Sequence, residues 1–235
     1  NNGIKELNEF EIAQYTDQAI FIKIFTPTNN YVKAAHNQFS GSFYLRPSVF
    51  VKTESKKLLK AIGRFSAQTV YRTDNKSLEN ENSMIYNPFD TRINDSLLIT
   101  TNSLFRQALF FNQNSSVGGF DYNYQQNKSK QLLVNGLESR ENEMHELRTR
   151  FNFTKSWGFF TTANYGNKRT FSEYLSTRNY LINYYEVKPK LVFQPNTSFR
   201  VATGYKRSEK QNAKEYGNQK ATIDDILLEI KYNKL

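Results

Sequence analysis

Hydrophobic and polar side chains alternate with a period of two along most of the chain, as they do in strands with one apolar and one polar face. Phe120, Tyr122 and Tyr124 oppose Asp121, Asn123 and Gln125. Leu147, Thr149, Phe151 and Phe153 oppose Arg148, Arg150 and Asn152, and Tyr185, Val187, Pro189, Leu191 and Phe193 oppose Glu186, Lys188 and Lys190. The same alternation sets Phe199, Val201, Thr203 and Tyr205 against Arg200 and Lys206, and Ile226, Leu228, Ile230 and Tyr232 against Glu229 and Lys231. These stretches carry no helix-period stripe. The pattern predicts strands over 19–25, 36–46, 60–73, 98–111, 117–127, 144–154, 158–170, 180–194, 198–208 and 220–234.

Such strands are long, about 9 to 15 residues where about 5 to 6 is usual. A tilted strand needs about 9 to 11 residues to cross a bilayer. Short turns are expected at 112–116, 155–157 and 195–197, and longer polar excursions at 74–96, 128–142, 171–179 and 208–219. In an up-and-down meander alternate connections emerge at opposite ends, so short turns would share one rim and long loops the other, as in outer-membrane barrels. Trp157, Phe159, Phe193 and Phe199 fall near the short-turn rim, and Tyr71, Tyr165 and Tyr205 toward the other. Two aromatic girdles at headgroup level would be placed this way, although aromatic residues favour any sheet. The expected fold is all-β: an antiparallel up-and-down meander of about ten long strands, part of a transmembrane outer-membrane β-barrel. That barrel segment would occupy 19–235, with 1–18 leading into it.

Composition narrows the classes. Hydrophobic residues make up 38% and aromatics 15%, yet no apolar run reaches the roughly 18 residues of a membrane helix. A mean hydropathy of −0.71 still fits a barrel, whose strands alternate. With no cysteine, disulfides and thiolate metal sites are excluded. The net charge of +10 raises nucleic acid as a partner, but a stacking platform needs rings and cations on one face, and here they alternate onto opposite ones. No nucleic-acid partner is expected. Arg148, Arg150, Lys188, Lys190, Arg200 and Lys231 are expected to line a basic lumen. Phe151, Phe153, Leu191, Phe193, Val201, Tyr205, Leu228 and Ile230 are expected to face outer-membrane lipid. A soluble protein would have to cover that second set with another layer, and the pattern offers none.

The opening "NNGIKELNEFE" has the spacing of the second half of an EF-hand-type loop, D-x-[DN]-x-[DN]-G-x5-E. Asn2, Ile4 (through its carbonyl), Glu6 and Glu9 would be the metal ligands, around a turn at Gly3. The first two ligands would precede residue 1, so the segment reads as an incomplete remnant, with calcium expected only in a longer parent. The alternative is a polar turn leading into a short helix over 7–14. No nucleophile elbow, zinc-binding helix, P-loop or dinucleotide loop is present, and the chain is not expected to be an enzyme. Glu143, His145 and Glu146 in "ENEMHEL" lack helical ligand spacing and read as a solvated loop tip, and Glu79 and Glu81 as a polar loop.

The stretches "NNGIKELNEFEIAQYTDQAIFIKIFTPTN", "NPFDTRINDSLL" and "GYKRSEKQN" resemble large outer-membrane β-barrel proteins of Bacteroidetes-type bacteria. The resemblance covers most of the chain and carries no enzymatic signature. It implies a fragment cut at both ends, an outer-membrane location and a secretory signal upstream. A role in transport, secretion or surface display follows as an expectation, with cargo unspecified and periplasmic or surface proteins as partners. Two other readings remain. One is a soluble lipocalin-like or sandwich ligand-binding module with its rings inside. The other is an outer-membrane lipase or protease, for which His145 would be the sole loop histidine.

Overall fold

The computed structural model describes residues 11, 13, 15–21, 31–51, 56–78, 95–133 and 136–233. The calcium-loop residues Asn2, Ile4, Glu6 and Glu9, and most of the strand expected over 19–25, lie outside them. The chain divides into Asn1–Val32 and Lys33–Leu235. Within the first unit the described residues include a 3-10 turn, Thr16–Gln18.

The second unit is a sheet of nine strands: β1 Ala34–Leu45, β2 Phe65–Leu78, β3 Leu98–Phe111, β4 Gly118–Leu133, β5 Gly136–Asn152, β6 Trp157–Ser172, β7 Tyr180–Phe193, β8 Phe199–Asn212 and β9 Lys220–Tyr232. Strand order follows chain order from β1 to β9, and every ladder is antiparallel. The chain is therefore the all-β meander that its alternation predicts. Among the described residues the sheet is open, with β1 and β9 as its edges. Among the described residues, no helix is long and apolar enough to cross a membrane, which bears on helices alone.

Three expectations are corrected. The excursion expected at 128–142 is strand. β4 and β5 pair without a break from Gly118↔Phe151 to Leu133↔Gly136, leaving only Val134 and Asn135 between them. Here both faces are polar, so no hydrophobic period marks the strands. What holds them is cross-strand chemistry such as Lys128–Glu141 at 3.0 Å. The strand expected from residue 60 starts instead at Phe65, after a short helix α1, Lys57–Ile62. That helix is built from the good helix formers "KLLKAI". Finally, connections are not sorted by length. Residues 46–64 join β1 to β2 on the rim that also carries the turns at 112–117, 153–156 and 194–198. The opposite rim has the shortest connection, between β4 and β5. The two ends differ instead in how far the strands run past the apolar stripe.

Pro189 sits inside β7, away from either edge. Proline lacks an N–H and is normally confined to edge strands or bulges. Here it pairs with Thr161 of β6, while the β7–β8 ladder passes from Val187↔Arg207 to Lys190↔Gly204 with no pairs between. The missing donor is absorbed by that gap without a change of register.

Candidate functional site

The register sorts side chains into two faces. On one, Phe151, Phe159, Leu191, Thr203 and Leu228 form a row across β5 to β9. Trp157, Phe193, Val201 and Ile230 form the next row toward the short-turn rim. Phe153, just past the end of β5, packs edge-on against Phe151 with ring centroids 4.9 Å apart. Tyr205 shares this face opposite Ile226.

This apolar face has no cover among the described residues: Leu228 is 66% exposed and Ile230 63%. The few buried apolar side chains are Leu98, Ala108, Val192 and Ala202, and the last three point to the other, polar face. Among the described residues, no second layer packs on this face in the ordinary arrangement of a sheet with an apolar side.

A row of hydroxylated rings bounds the apolar stripe on the far side. Tyr124, His145, Tyr165 and Tyr185 stand next to one another across β4 to β7. His145 is therefore a strand residue in this row and not the loop tip expected from its sequence. Its ring centroid lies 4.8 Å from that of Tyr124 and 6.0 Å from that of Tyr165. Its Nδ1 is 2.8 Å from the Tyr122 hydroxyl. Glu143, one position further out, accepts from Tyr124 Oη and Asn167 Nδ2, each at 3.0 Å. Tyr185 donates to Glu209 and Tyr205 to Asp224. The hydroxyls of Tyr124, Tyr185 and Tyr205 thus meet carboxylates at the border of the apolar stripe, the arrangement favoured where one end of a ring is apolar and the other wet.

The opposite face carries all six cations expected there. Arg150, Lys190 and Gly204 share a row, as do Arg148 and Lys188 across Thr162, and Arg200 pairs with Lys231. Arg148 Nη2 lies 2.9 Å from Glu146, and Lys188 Nζ 2.6 Å from Glu186. Glu186 also accepts from Asn164 Nδ2 at 3.1 Å and lies 3.9 Å from Lys206 Nζ, which is 2.9 Å from Asp225. Lys190 reaches across β8 to Glu229 at 3.3 Å, and Lys231 meets the same carboxylate at 2.7 Å. The crossing is open because Gly204 and Ala202 lie beneath it. Arg150 Nη2 donates to the carbonyl of Ser115 at 2.8 Å. Four of the six cations are thus paired with carboxylates, and ion pairs join β7, β8 and β9 to one another. Partly buried pairs of this kind are held by added hydrogen bonds. Glu186→Leu is expected to leave Lys188 and Lys206 without their shared partner and to cost about 1–3 kcal/mol of stability. Urea unfolding of the variant in detergent measures it, and an unchanged midpoint would show the network to be dispensable.

Beyond this network the polar face holds a cavity of about 690 Å³. Two adjacent rows line it. The first runs Arg72, Leu104, Asn127, Asn142 and Lys168 across β2 to β6. The second runs Asp74, Asn102, Ser129, Arg140, Thr170 and Tyr180 across β2 to β7. One cavity can touch that many strands only if the polar face is its concave side. Sequence reasoning did not bring these residues together, because they are spread over more than a hundred positions. The one local signal was "Asn135–Gly136", a hairpin dipeptide that would have extended β4 and β5 up to the cavity.

Among the described residues, no group of three or more His, Asp or Glu side chains is placed to hold a metal ion. Compared with protein families, with curated proteins and with solved structures, the chain shows no match.

Proposed function

We propose that this sheet is part of the wall of a transmembrane outer-membrane β-barrel, with its charged concave face toward an aqueous lumen and its apolar face toward lipid. The observation that carries the reading is the uncovered apolar face, bounded by rings and backed by an ion-paired one. On β6 the stripe from Trp157 to Tyr165 spans about 26 Å along the strand at roughly 3.3 Å per residue. At a usual barrel tilt of about 40° that is about 20 Å across the membrane, close to the apolar band of such barrels. Past the Tyr165 row β4, β5 and β6 continue with mainly polar residues on both faces, which suits the aqueous side of a membrane. The role that fits is passage or display of a polar molecule across or at the outer membrane. A soluble lipocalin-like module fits less well, since its rings should line the cavity, and here they stand on the convex side.

The chain has no cysteine, so single cysteines report cleanly. In membranes, Lys188→Cys and Arg200→Cys are expected to react with a membrane-impermeant maleimide, and Val201→Cys and Leu191→Cys only after detergent is added. Labelling of the second pair in intact membranes, with the first pair silent, would reverse the two faces. A protein recovered wholly from the aqueous fraction without detergent would remove the membrane from the reading.

A further inference from the structure

The polar face divides into two electrostatic zones. Toward the short-turn rim Arg148, Lys188, Lys190, Lys206 and Lys231 meet the carboxylates Glu146, Glu186, Glu229 and Asp225, and Arg150 is held by the Ser115 carbonyl. At the cavity the balance differs. Among the described residues, Arg72 makes no ion pair, and Lys168 Nζ has the Tyr184 ring, at 5.8 Å, as its partner. Arg140 has only a loose contact, 3.8 Å from Glu138, and is 70% exposed. The carboxylate in the rows, Asp74, meets His36 Nε2 at 3.1 Å and is outnumbered by Arg72, Arg140 and Lys168, while Glu141 turns to the other face to meet Lys128.

Between Arg72 and Lys168 lies an amide floor. Asn127 and Asn142 are directly opposite each other, with Asn142 next to Lys168. Asn142 Oδ1 is buried and accepts no hydrogen bond. Amide side chains carry both donors and acceptors for hydroxyl groups, so the floor suits a hydroxylated ligand. Arg72 and Lys168 are four strands apart, about 19 Å along the sheet at roughly 4.8 Å per strand. A single phosphate or carboxylate cannot touch both. The ligand that matches is extended, carries anionic groups along its length, and presents hydroxyls to the amides between them. Nucleic acid matches less well, because a base needs aromatic platforms, and the only ring in the two rows is Tyr180.

We infer that this cavity binds an acidic oligosaccharide, with Arg72 and Lys168 holding its anionic groups and Asn127 and Asn142 its hydroxyls. The site stands on the concave face alone and holds whether the convex face meets lipid or protein, so its failure and that of the membrane reading are separable.

Calorimetry on the detergent-solubilised protein tests it with three probes: tetragalacturonate, maltotetraose and a tetra-aspartate peptide. Tetragalacturonate should bind saturably, and each of the others at least tenfold more weakly, because one lacks the charges and the other the hydroxyls. Arg72→Gln with Lys168→Gln should weaken tetragalacturonate at least tenfold, while Lys57→Gln, on α1, should change nothing. Absence of saturable tetragalacturonate binding overturns the assignment. So does equal binding of tetra-aspartate, which would mark an acidic-peptide site, or full affinity in the double variant. The probe comparison uses the unaltered protein and decides the matter even if the double variant fails to fold.

Discussion

Leu228→Arg is expected to cost about 2–4 kcal/mol when the protein sits in a bilayer and close to nothing when it is surrounded by water. The side chain is 66% exposed and lies in the middle of the apolar stripe, opposite Thr203 on β8. In water an exposed leucine has little transfer energy left to lose, and surface substitutions usually fall within about ±0.5 kcal/mol. In hydrocarbon the same arginine must be desolvated, at about 2–4 kcal/mol near the midplane of a barrel wall. The two environments thus give outcomes separated by more than tenfold in the folding equilibrium. Urea titration of wild type and variant in phospholipid vesicles reads the difference, and Thr222→Arg, on the same strand face at the level of the Tyr row, serves as the control at the edge of the stripe. A variant as stable as wild type in vesicles would leave the apolar face without lipid as its cover.

Gly166→Ala should be comparably damaging for a steric reason. Gly166 lies on β6 between Met144 and Tyr184 and is buried. A Cβ there would run into the carbonyl oxygen of Glu143, which belongs to the backbone of the adjacent ladder, and would lie 2.9 Å from the Tyr184 hydroxyl. A side-chain tip can swing away, but a paired backbone carbonyl can move only with its strand. Overpacking of this kind costs on the order of 3 kcal/mol. Thr162→Ala, on the same strand and face, only removes atoms at a half-buried position and should change stability little. Equal unfolding midpoints for G166A and T162A would mean that β5 yields more easily than the geometry indicates.

The strands at 98–111, 158–170 and 180–194 were legible to within one or two residues, because an apolar stripe against a charged one leaves a period-two signal that turns interrupt. The signal fades where both faces are polar. Residues 128–142 therefore read as loop, although Lys128, Gln126 and Glu141 hold β4 to β5 by side-chain bonds that no single strand displays. His145 was misplaced for the same reason, since its partners Tyr122, Tyr124 and Tyr165 come from two other strands. The division into faces was readable. The pairing of charges was not: Lys190 finds Glu229 across an intervening strand, and only the register reveals it. Nor could the short helix α1 be separated from the strand after it, since "KLLKAI" is too brief to show a helical period.

The strict sequence of neighbours in this sheet also bears on how the chain finds its fold. Every ladder joins strands adjacent in the chain, so no pairing has to wait for a distant segment to arrive. The cost of closing a loop grows with its length. The β4–β5 hairpin, with two residues between its strands and sixteen register pairs behind them, is the cheapest ladder to begin. Hairpins of this kind form in about 1–10 μs in water, and each further strand can then dock onto an edge that already exists. Folding becomes a zipper that runs outward in both directions from the middle of the sheet.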